Sequence, residues 1–300
     1  MNILIVGAGV LGSMYAGRLS EGGHDVTVLA RGKRLAEIRE RGIVLQELGA
    51  DEPLSVRVEV IEKLDPTAAH DLVLVLVRAN QLSSVLPLLA QSRATPNVLF
   101  LMNNPDGPDE VVRALGAERV LLGFPCGGGM REGHVVRYVR RRDATPIPTT
   151  IGELAGERTD RLATIARAFE QAGLPVTIER NIDAWLKTHA ALVMPGVPAL
   201  RIVGGSNYDL SEDTDTLRLV VAATRESLRV VRALGHPLRP WHVQAIEWLP
   251  LPVSVWGLRK LFRSEFAEVA LAGHASAAGD EIDSVLSKLR NFGRQQGVPM

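Results

Sequence analysis

Residues 2–13 read NILIVGAGVLGS, a short apolar run followed at once by glycines at positions 7, 9 and 12. The run is typical of a strand buried on both faces, and the GxGxxG spacing after it is typical of the turn that opens a dinucleotide-binding helix. Gly7 permits the tight turn, Gly9 lets a pyrophosphate approach the backbone, and Gly12 allows close packing of helix on strand. The residues expected to bind the cofactor are Gly7, Ala8, Gly9, Val10, Leu11 and Gly12.

Further apolar runs alternate with helical patterns through the first half of the chain. Residues 25–30 (DVTVLA), 71–77 (DLVLVLV) and 97–102 (NVLFLM) lack polar alternation, which is typical of buried parallel strands. Shorter runs at 119–123, 134–139 and 149–154 have weak helical patterns between them, and there we expect an antiparallel extension. The pattern predicts an α/β fold that begins with a Rossmann-type, doubly wound parallel sheet.

Strand patterns nearly vanish in the second half, where long helical patterns occupy residues 217–234 and 267–294. We therefore predict a nucleotide-binding domain at residues 1–178 and an all-helical domain for substrate and dimerisation at residues 179–300. Residues 238–257 carry Trp241, Trp248 and Trp256. We expect these tryptophans to pack between helices, with a dimer or substrate surface as the alternative.

Composition excludes several classes of protein. The 300 residues include 34 Lys or Arg and 34 Asp or Glu, so no net charge attracts nucleic acid. The single cysteine, Cys126, excludes an intramolecular disulfide and is expected to be a packed thiol, and the seven histidines show no zinc-ligand spacing. The N-terminus lacks the features of a signal peptide, and no apolar run reaches the roughly 20 residues that span a bilayer. We expect a cytoplasmic protein without metal or membrane partners, and a homodimer is compatible with the apolar helices.

The residues after the second predicted strand indicate which dinucleotide binds. NAD enzymes usually place an acid there for the ribose hydroxyls, but residues 26–34 contain no Asp or Glu and do contain Arg31. Because an arginine at this position favours a 2′-phosphate, we expect NADPH. Arg78 and Gln81 follow the strand at 71–77 and are candidates to line the cofactor cleft, with a plain surface loop as the alternative.

A reductase that takes hydride from NADPH also needs a proton donor for the developing alkoxide. Lys187 lies in the apolar helical stretch AWLKTHAALVMPG, where burial would ease proton transfer; a solvated lysine is the alternative reading. Asn103 follows the strand at 97–102 and is a candidate donor to substrate or nicotinamide, although turn chemistry explains it equally well. Glu281 is a candidate acid at a helix N-terminus, and His189 and His274 are further conceivable acids.

Taken in order, GAGVLGS, LARGKR, VRANQ, LFLMNN, NIDAWLK and DEIDSVLSKLRNFGRQQGVPM resemble the ketopantoate reductase family, the NADPH-dependent 2-dehydropantoate 2-reductases. The resemblance covers nearly the whole chain, and its Trp-x-Lys and Glu-Ile-Asp elements are the more specific ones. It implies that Lys187 is the proton donor to the ketone oxygen, that Asn103 belongs to the active site, and that Glu281 binds the substrate hydroxyl. The implied reaction is reduction of 2-dehydropantoate, a keto acid, to pantoate, a step toward pantothenate.

Some positions depart from the family pattern. The asparagines usual one and two turns after the lysine are replaced by Ala191 and Pro195, the Gln-Asn-Gly element reads Met-Asn-Asn at 102–104, the cofactor-side lysine reads Arg78, and a serine is replaced near Val269. Each lost hydrogen bond to a strongly polar group costs about 1.5–3 kcal/mol. We therefore keep two alternatives: a diverged reductase of another carbonyl or imine, and an NADPH-binding sensor without turnover.

Overall fold

The structure, a computed structural model, describes residues 1–142, 145–272 and 279–298. By its internal contacts the chain divides into two units. Unit 1 comprises Met1–Met102 and Gly107–Ile182, and unit 2 comprises Asn103–Asp106 and Asp183–Met300. Unit 2 thus takes four residues from the middle of the sequence of unit 1. That the first unit serves the nucleotide and the second the substrate stays a prediction.

Unit 1 contains all the strands of the described chain and five of its α-helices. The strands are β1 (Asn2–Val6), β2 (Asp25–Leu29), β3 (Ile43–Glu47), β4 (Leu54–Val56), β5 (Glu59–Ile61), β6 (Leu72–Val75), β7 (Val98–Leu101), β8 (Val120–Phe124), β9 (Gly128–Glu132), β10 (Val135–Val139), β11 (Arg141–Arg142), β12 (Thr145–Pro146), β13 (Thr149–Glu153) and β14 (Val176–Ile178). The helices are α1 (Val10–Glu21), α2 (Gly32–Arg41), α3 (Leu82–Gln91), α4 (Asp109–Leu115) and α5 (Asp160–Gln171), with 3-10 turns at Ala79–Gln81 and Ala117–Arg119.

The main sheet has the order β14-β13-β8-β7-β6-β1-β2-β5. The strands from β8 to β5 in this order run parallel, and each of β1, β6 and β7 is buried along nearly its whole length because helices cover both faces of such a sheet. Strand β13 pairs antiparallel with β8, so the extension predicted at residues 149–154 is confirmed.

The stretch at residues 134–139 does not extend the main sheet, and that expectation is wrong. It forms β10 in a separate sheet of order β4-β3-β10-β9, parallel to β3 and antiparallel to β9. Its alternate residues Val136 and Tyr138 are buried in one core cluster with Tyr15 and Leu19 of α1. One face of this second sheet therefore packs against α1, which explains why buried and less buried residues alternate along β10.

Cys126 lies in the core of unit 1. The hydroxyl of Tyr15 is 2.6 Å from the hydroxyl of Thr149 and accepts a hydrogen bond of 3.0 Å from the backbone N–H of Cys126. Burial raises the pKa of both the Cys126 thiol and the Tyr15 phenol. The expectation of a packed thiol is confirmed.

In the described part of unit 2 the regular elements are all helices. They are α6 (Ile182–Val193), α7 (Gly196–Ile202), α8 (Asn207–Glu212), α9 (Thr214–Ala233), α10 (Ala245–Trp248), α11 (Leu251–Phe262) and α12 (Gly279–Gln295), with a 3-10 helix at Trp241–Gln244 and a π-helix at Ala267–Ala272. Helix α9 confirms the prediction at residues 217–234, and its N-cap Asp213 accepts from the N–H groups of Asp215 and Thr216. Among the helices described, none is both long and apolar enough for a bilayer crossing.

The three tryptophans of residues 238–257 do not pack between helices, so that expectation is wrong. Trp241, Trp248 and Trp256 are 73%, 81% and 64% exposed. On α11 Val255 is buried in the core, and the next residue, Trp256, points about 100° away around the helix. The dimer suggested by the sequence stays a prediction.

Candidate active site

The turn after β1 lies where the strand order of unit 1 reverses, because β1 pairs with β2 on one side and with β6 on the other. In open parallel sheets this is the position at which ligands bind. Gly7 has φ 111°, and a Cβ there would lie 2.4 Å from the carbonyl oxygen of Leu76. A Cβ at Gly12 would lie 1.7 Å from the carbonyl oxygen of Gly7. Both glycines are therefore required by the packing of the turn itself.

Gly9 differs from these two glycines. It is the N-cap of α1, its φ is −74°, and a Cβ on it would meet no atom within 4 Å among the described residues. No side chain caps the helix, and its first turn carries no acid. The exposed amides of that turn, together with the helix dipole, fit a phosphate group. Ala8, Val10 and Leu11 are partly buried and pack against the core of unit 1.

Arg31 is the exposed N-cap residue of α2, and its guanidinium makes no hydrogen bond or ion pair within the described residues. Arg34, three residues later, is nearly buried and hydrogen-bonded to the glycine turn, which the sequence reading did not anticipate. After β6, the backbone N–H of Arg78 donates to Oε1 of Gln81 at 3.2 Å. The Gln81 side chain is exposed and closes this local turn, and the role of Arg78 and Gln81 in the cofactor cleft stays a prediction.

Lys187 of unit 2 is 7% exposed, so the reading of it as a solvated lysine is wrong. Its ammonium donates a hydrogen bond to the carboxylate of Asp183, one turn earlier on α6. The other carboxylate oxygen of Asp183 lies 3.8 Å from Nδ1 of His236. Burial, assisted by the charge of Lys187, lowers the pKa of His236. The Lys187 ammonium is therefore buried and oriented by a carboxylate of its own helix.

Asn103 and Glu281 are in direct contact within unit 2. The side-chain amide of Asn103 donates to Oε1 of Glu281 at 3.2 Å, and the two residues are 8% and 4% exposed. Three residues on, Asp106 forms an ion pair with Lys288 of the same helix, α12. Two polar contacts therefore hold the segment Asn103–Asp106 against α12.

Helices α6 and α12 share one apolar cluster. Its buried members are Ala190, Met194, Val197, Ile282, Val285 and Leu289. Lys187 precedes Ala190 by nearly one helical turn, and Glu281 immediately precedes Ile282. The packing of these helices therefore fixes the backbone that carries both ionisable groups. These three residues predicted for the chemistry (Lys187, Asn103 and Glu281) thus belong to one unit, while their roles stay predictions.

The candidate acid His189 makes a contact of its own on α6. His189 stacks on Trp185, with ring centroids 5.0 Å apart and ring planes 9° from parallel. Burial lowers its pKa to about 4, so the imidazole is uncharged at neutral pH. His274 lies outside the described residues.

A sequence model of the family described as "Ketopantoate reductase PanE/ApbA" matches residues 3–156, slightly more than half of the chain. The chain belongs to the ketopantoate reductase family. It is 29% identical over 240 residues to the 2-dehydropantoate 2-reductase of Halobacterium salinarum, which covers 78% of this chain and 76% of that protein.

Solved structures agree on the fold of this ketopantoate reductase family member. The 2-dehydropantoate 2-reductase of Geobacter metallireducens GS-15 matches with a TM-score of 0.79 at 20% identity, over 100% of this chain and 95% of that one. A D-mandelate dehydrogenase in complex with NADH and anilino(oxo)acetate matches with a TM-score of 0.76 at 18% identity, over 100% and 93% of the two chains. The predicted fold, a parallel α/β sheet followed by a helical part, is confirmed.

Two departures from the ketopantoate reductase pattern now have a structural context. Ala191 is fully buried in an apolar cluster with Leu228, Val231 and Leu238. Pro195 is buried just beyond the end of α6 and begins α7 as its N-cap. Neither position offers a polar group to a ligand.

Proposed function

We propose that this chain reduces a 2-keto acid with NADPH, and that its favoured substrate is 2-dehydropantoate, with pantoate as the product. The observation that carries the proposal is the buried Asn103–Glu281 pair, in which Glu281 lies on α12, a helix that packs against the Lys187 helix α6. Binding a nucleotide would not require these groups. Family membership supports the same reaction, as does the name of the Halobacterium relative.

The chemistry follows from the side chains of unit 2. A nicotinamide dinucleotide, when bound, supplies the hydride that reduces the keto carbon. The ammonium of Lys187 donates a proton to the carbonyl oxygen, which completes the alcohol, and the resulting amine regains a proton from solvent. Asp183 holds the ammonium in place between turnovers. The carboxylate of Glu281 accepts a hydrogen bond from the substrate hydroxyl, and Asn103, with one N–H on Glu281, keeps a second N–H for the substrate or nicotinamide.

Unit 1 supports NADPH over NADH. The open space beside Gly9 and the uncapped amides of α1 fit the pyrophosphate, and the exposed guanidinium of Arg31 suits a 2′-phosphate. No acid lies between residues 26 and 34 to bind the ribose hydroxyls of NADH. Arg78 and Gln81 complete the proposed nucleotide site.

A second candidate is reduction of a bulkier, less polar 2-keto acid. It is favoured by Ala191 and Pro195, which place apolar groups where the family resemblance implies asparagines. The name of the structural neighbour, D-mandelate dehydrogenase, is compatible with an aromatic 2-hydroxy acid. This candidate keeps the same roles for Lys187 and the nucleotide.

The deciding experiment follows oxidation of NADPH by its absorbance in the presence of 2-dehydropantoate or phenylglyoxylate, the 2-keto acid related to mandelate. We expect NADPH-selective turnover with a higher kcat/KM for 2-dehydropantoate, and NADH serves as the cofactor control. Preference for phenylglyoxylate would support the second candidate. Binding of NADPH without turnover of any 2-keto acid would contradict both reductase proposals and leave a nucleotide-binding sensor.

A further inference from the structure

The guanidinium of Arg34 uses all three of its nitrogens inside unit 1. Nε donates to the carbonyl oxygen of Ala8 at 3.2 Å, Nη2 donates to the hydroxyl of Ser13 at 2.8 Å, and Nη1 donates to Glu37 at 3.2 Å. Ala8 precedes the N-cap glycine of α1, and Ser13 lies in the second turn of that helix. One side chain of α2 is therefore bonded to both sides of the proposed phosphate-binding amides.

The surroundings of Arg34 separate it from the other cations of α2. Its side chain is only 11% exposed, whereas that of Lys33 is 87% exposed. Glu37 lies 3.9 Å from the ammonium of Lys33 and 3.8 Å from the guanidinium of Arg131, distances too long for hydrogen bonds. Glu37 is thus hydrogen-bonded to Arg34 and offsets its charge, while Lys33 and Arg131 make only longer-range contacts.

We propose that Arg34 is a positioning residue for the dinucleotide, and that it acts by fixing the glycine turn rather than by contacting the 2′-phosphate. A lysine cannot replace it, because a single ammonium cannot reach three acceptors in the geometry of a planar fork. Recognition of the 2′-phosphate is left to exposed Arg31. This proposal rests on the nucleotide site of the proposed function, and it assigns a role that the proposed function does not contain.

The test measures the Kd of NADH and of NADPH, by titration calorimetry, for wild-type protein, Arg34→Met and Arg31→Met. Methionine keeps an apolar stem of similar length and removes the fork. Because the turn serves the pyrophosphate common to both nucleotides, Arg34→Met is expected to raise both Kd values by a similar factor of about 10. Arg31→Met is expected to raise the Kd of NADPH and leave that of NADH nearly unchanged.

Two further variants keep the test decisive. Arg34→Lys should behave like Arg34→Met, and full recovery of binding by lysine would overturn the proposal because charge alone would then suffice. Ser13→Ala removes one acceptor and should raise both Kd values by a smaller common factor, which provides a readout even where Arg34→Met does not fold.

The remaining outcomes are equally clear. A selective loss of NADPH binding in Arg34→Met would overturn the proposal in favour of direct phosphate contact. A lower Tm with both Kd values unchanged would reduce Arg34 to a structural role and overturn it as well. Failure of the proposed function is recorded separately, since absence of keto-acid turnover leaves both Kd values measurable. Wild-type protein that binds neither nucleotide would overturn both proposals.

Discussion

Asn103 donates a hydrogen bond of 3.2 Å to Glu281, although 178 residues separate them in the sequence. Both side chains are buried, so the amide supplies a partner that the carboxylate would otherwise lack among the residues that the structure describes. The short segment Asn103–Asp106 brings this amide into unit 2. The pair of residues proposed to bind the substrate therefore depends on a loop and a helix from distant parts of the chain.

Asn103→Asp should destabilise the protein, and increasingly so as pH rises. Two buried carboxylates about 3 Å apart cannot both ionise, so the folded state holds a proton that the unfolded state releases above its ordinary carboxyl pKa. We expect the Tm to fall by more than about 5 °C at pH 7.5 and by less at pH 5. Adding Glu281→Gln restores one amide and one carboxylate in exchanged positions and should recover much of the loss. Equal destabilisation by Asn103→Asp at both pH values would contradict this account.

Lys187→Met should remove turnover while leaving nucleotide binding intact. General acid catalysis contributes about 10²- to 10⁴-fold to a rate, and methionine preserves the apolar stem without the proton. We expect kcat to fall by that factor with the Kd of NADPH unchanged. The matched control is Lys260→Met, because Lys260 is exposed on α11 of the same unit. Retention of full activity in Lys187→Met would refute its assignment as proton donor.

Gly9→Ala and Gly7→Ala should separate binding from stability. The added methyl at Gly9 meets open space at an ordinary φ, so we expect the Tm to change by no more than about 2 °C while dinucleotide Kd rises at least about 10-fold. At Gly7 the positive φ and the carbonyl oxygen of Leu76 oppose any side chain, and the Tm itself should fall. Thermal melts and calorimetry on both variants test this pair of predictions. An unchanged dinucleotide Kd in Gly9→Ala would contradict the proposal that a phosphate binds beside Gly9.

His189 should contribute to loss of stability in acid. Its pKa is about 4 in the folded protein and about 6.5 when unfolded, so between these values the unfolded state binds a proton that the folded state does not. Stability from this group is complete above pH 6.5 and is lost as pH falls toward 4. His189→Phe keeps an aromatic ring for Trp185 and should show a smaller drop in Tm from pH 7 to pH 4.5. The same substitution at exposed His242 should leave the drop unchanged, and identical drops in all three proteins would refute the effect.

The sequence predicted the parallel sheet because its strands are continuous apolar runs that only a doubly covered sheet can bury. It missed β9, since GGMRE contains almost no apolar signal and its pairing with β10 decides its conformation. It also misplaced β10, because an alternating pattern shows that one face is buried without showing against what.

The candidate site was predictable in its residue types and not in its contacts. The i, i+4 spacing of Asp183 and Lys187 is a sequence signal for their ion pair, whereas the apolar neighbours of Lys187 indicate only that the lysine is buried. The pairing of Asn103 with Glu281 could not be obtained from local pattern, because it depends on the tertiary course of the chain. The three bonds of Arg34 belong to the same category.

The discontinuity of unit 2 limits how this chain can be recombined with its relatives. A chimera that exchanges residues 183–300 at a single crossover takes Glu281 and Lys288 from one parent and leaves Asn103 and Asp106 from the other. In such a hybrid, the buried carboxylate of Glu281 contacts a loop that comes from the other parent. Exchange of residues 183–300 therefore preserves the polar contacts of unit 2 only when residues 103–106 are transferred with them.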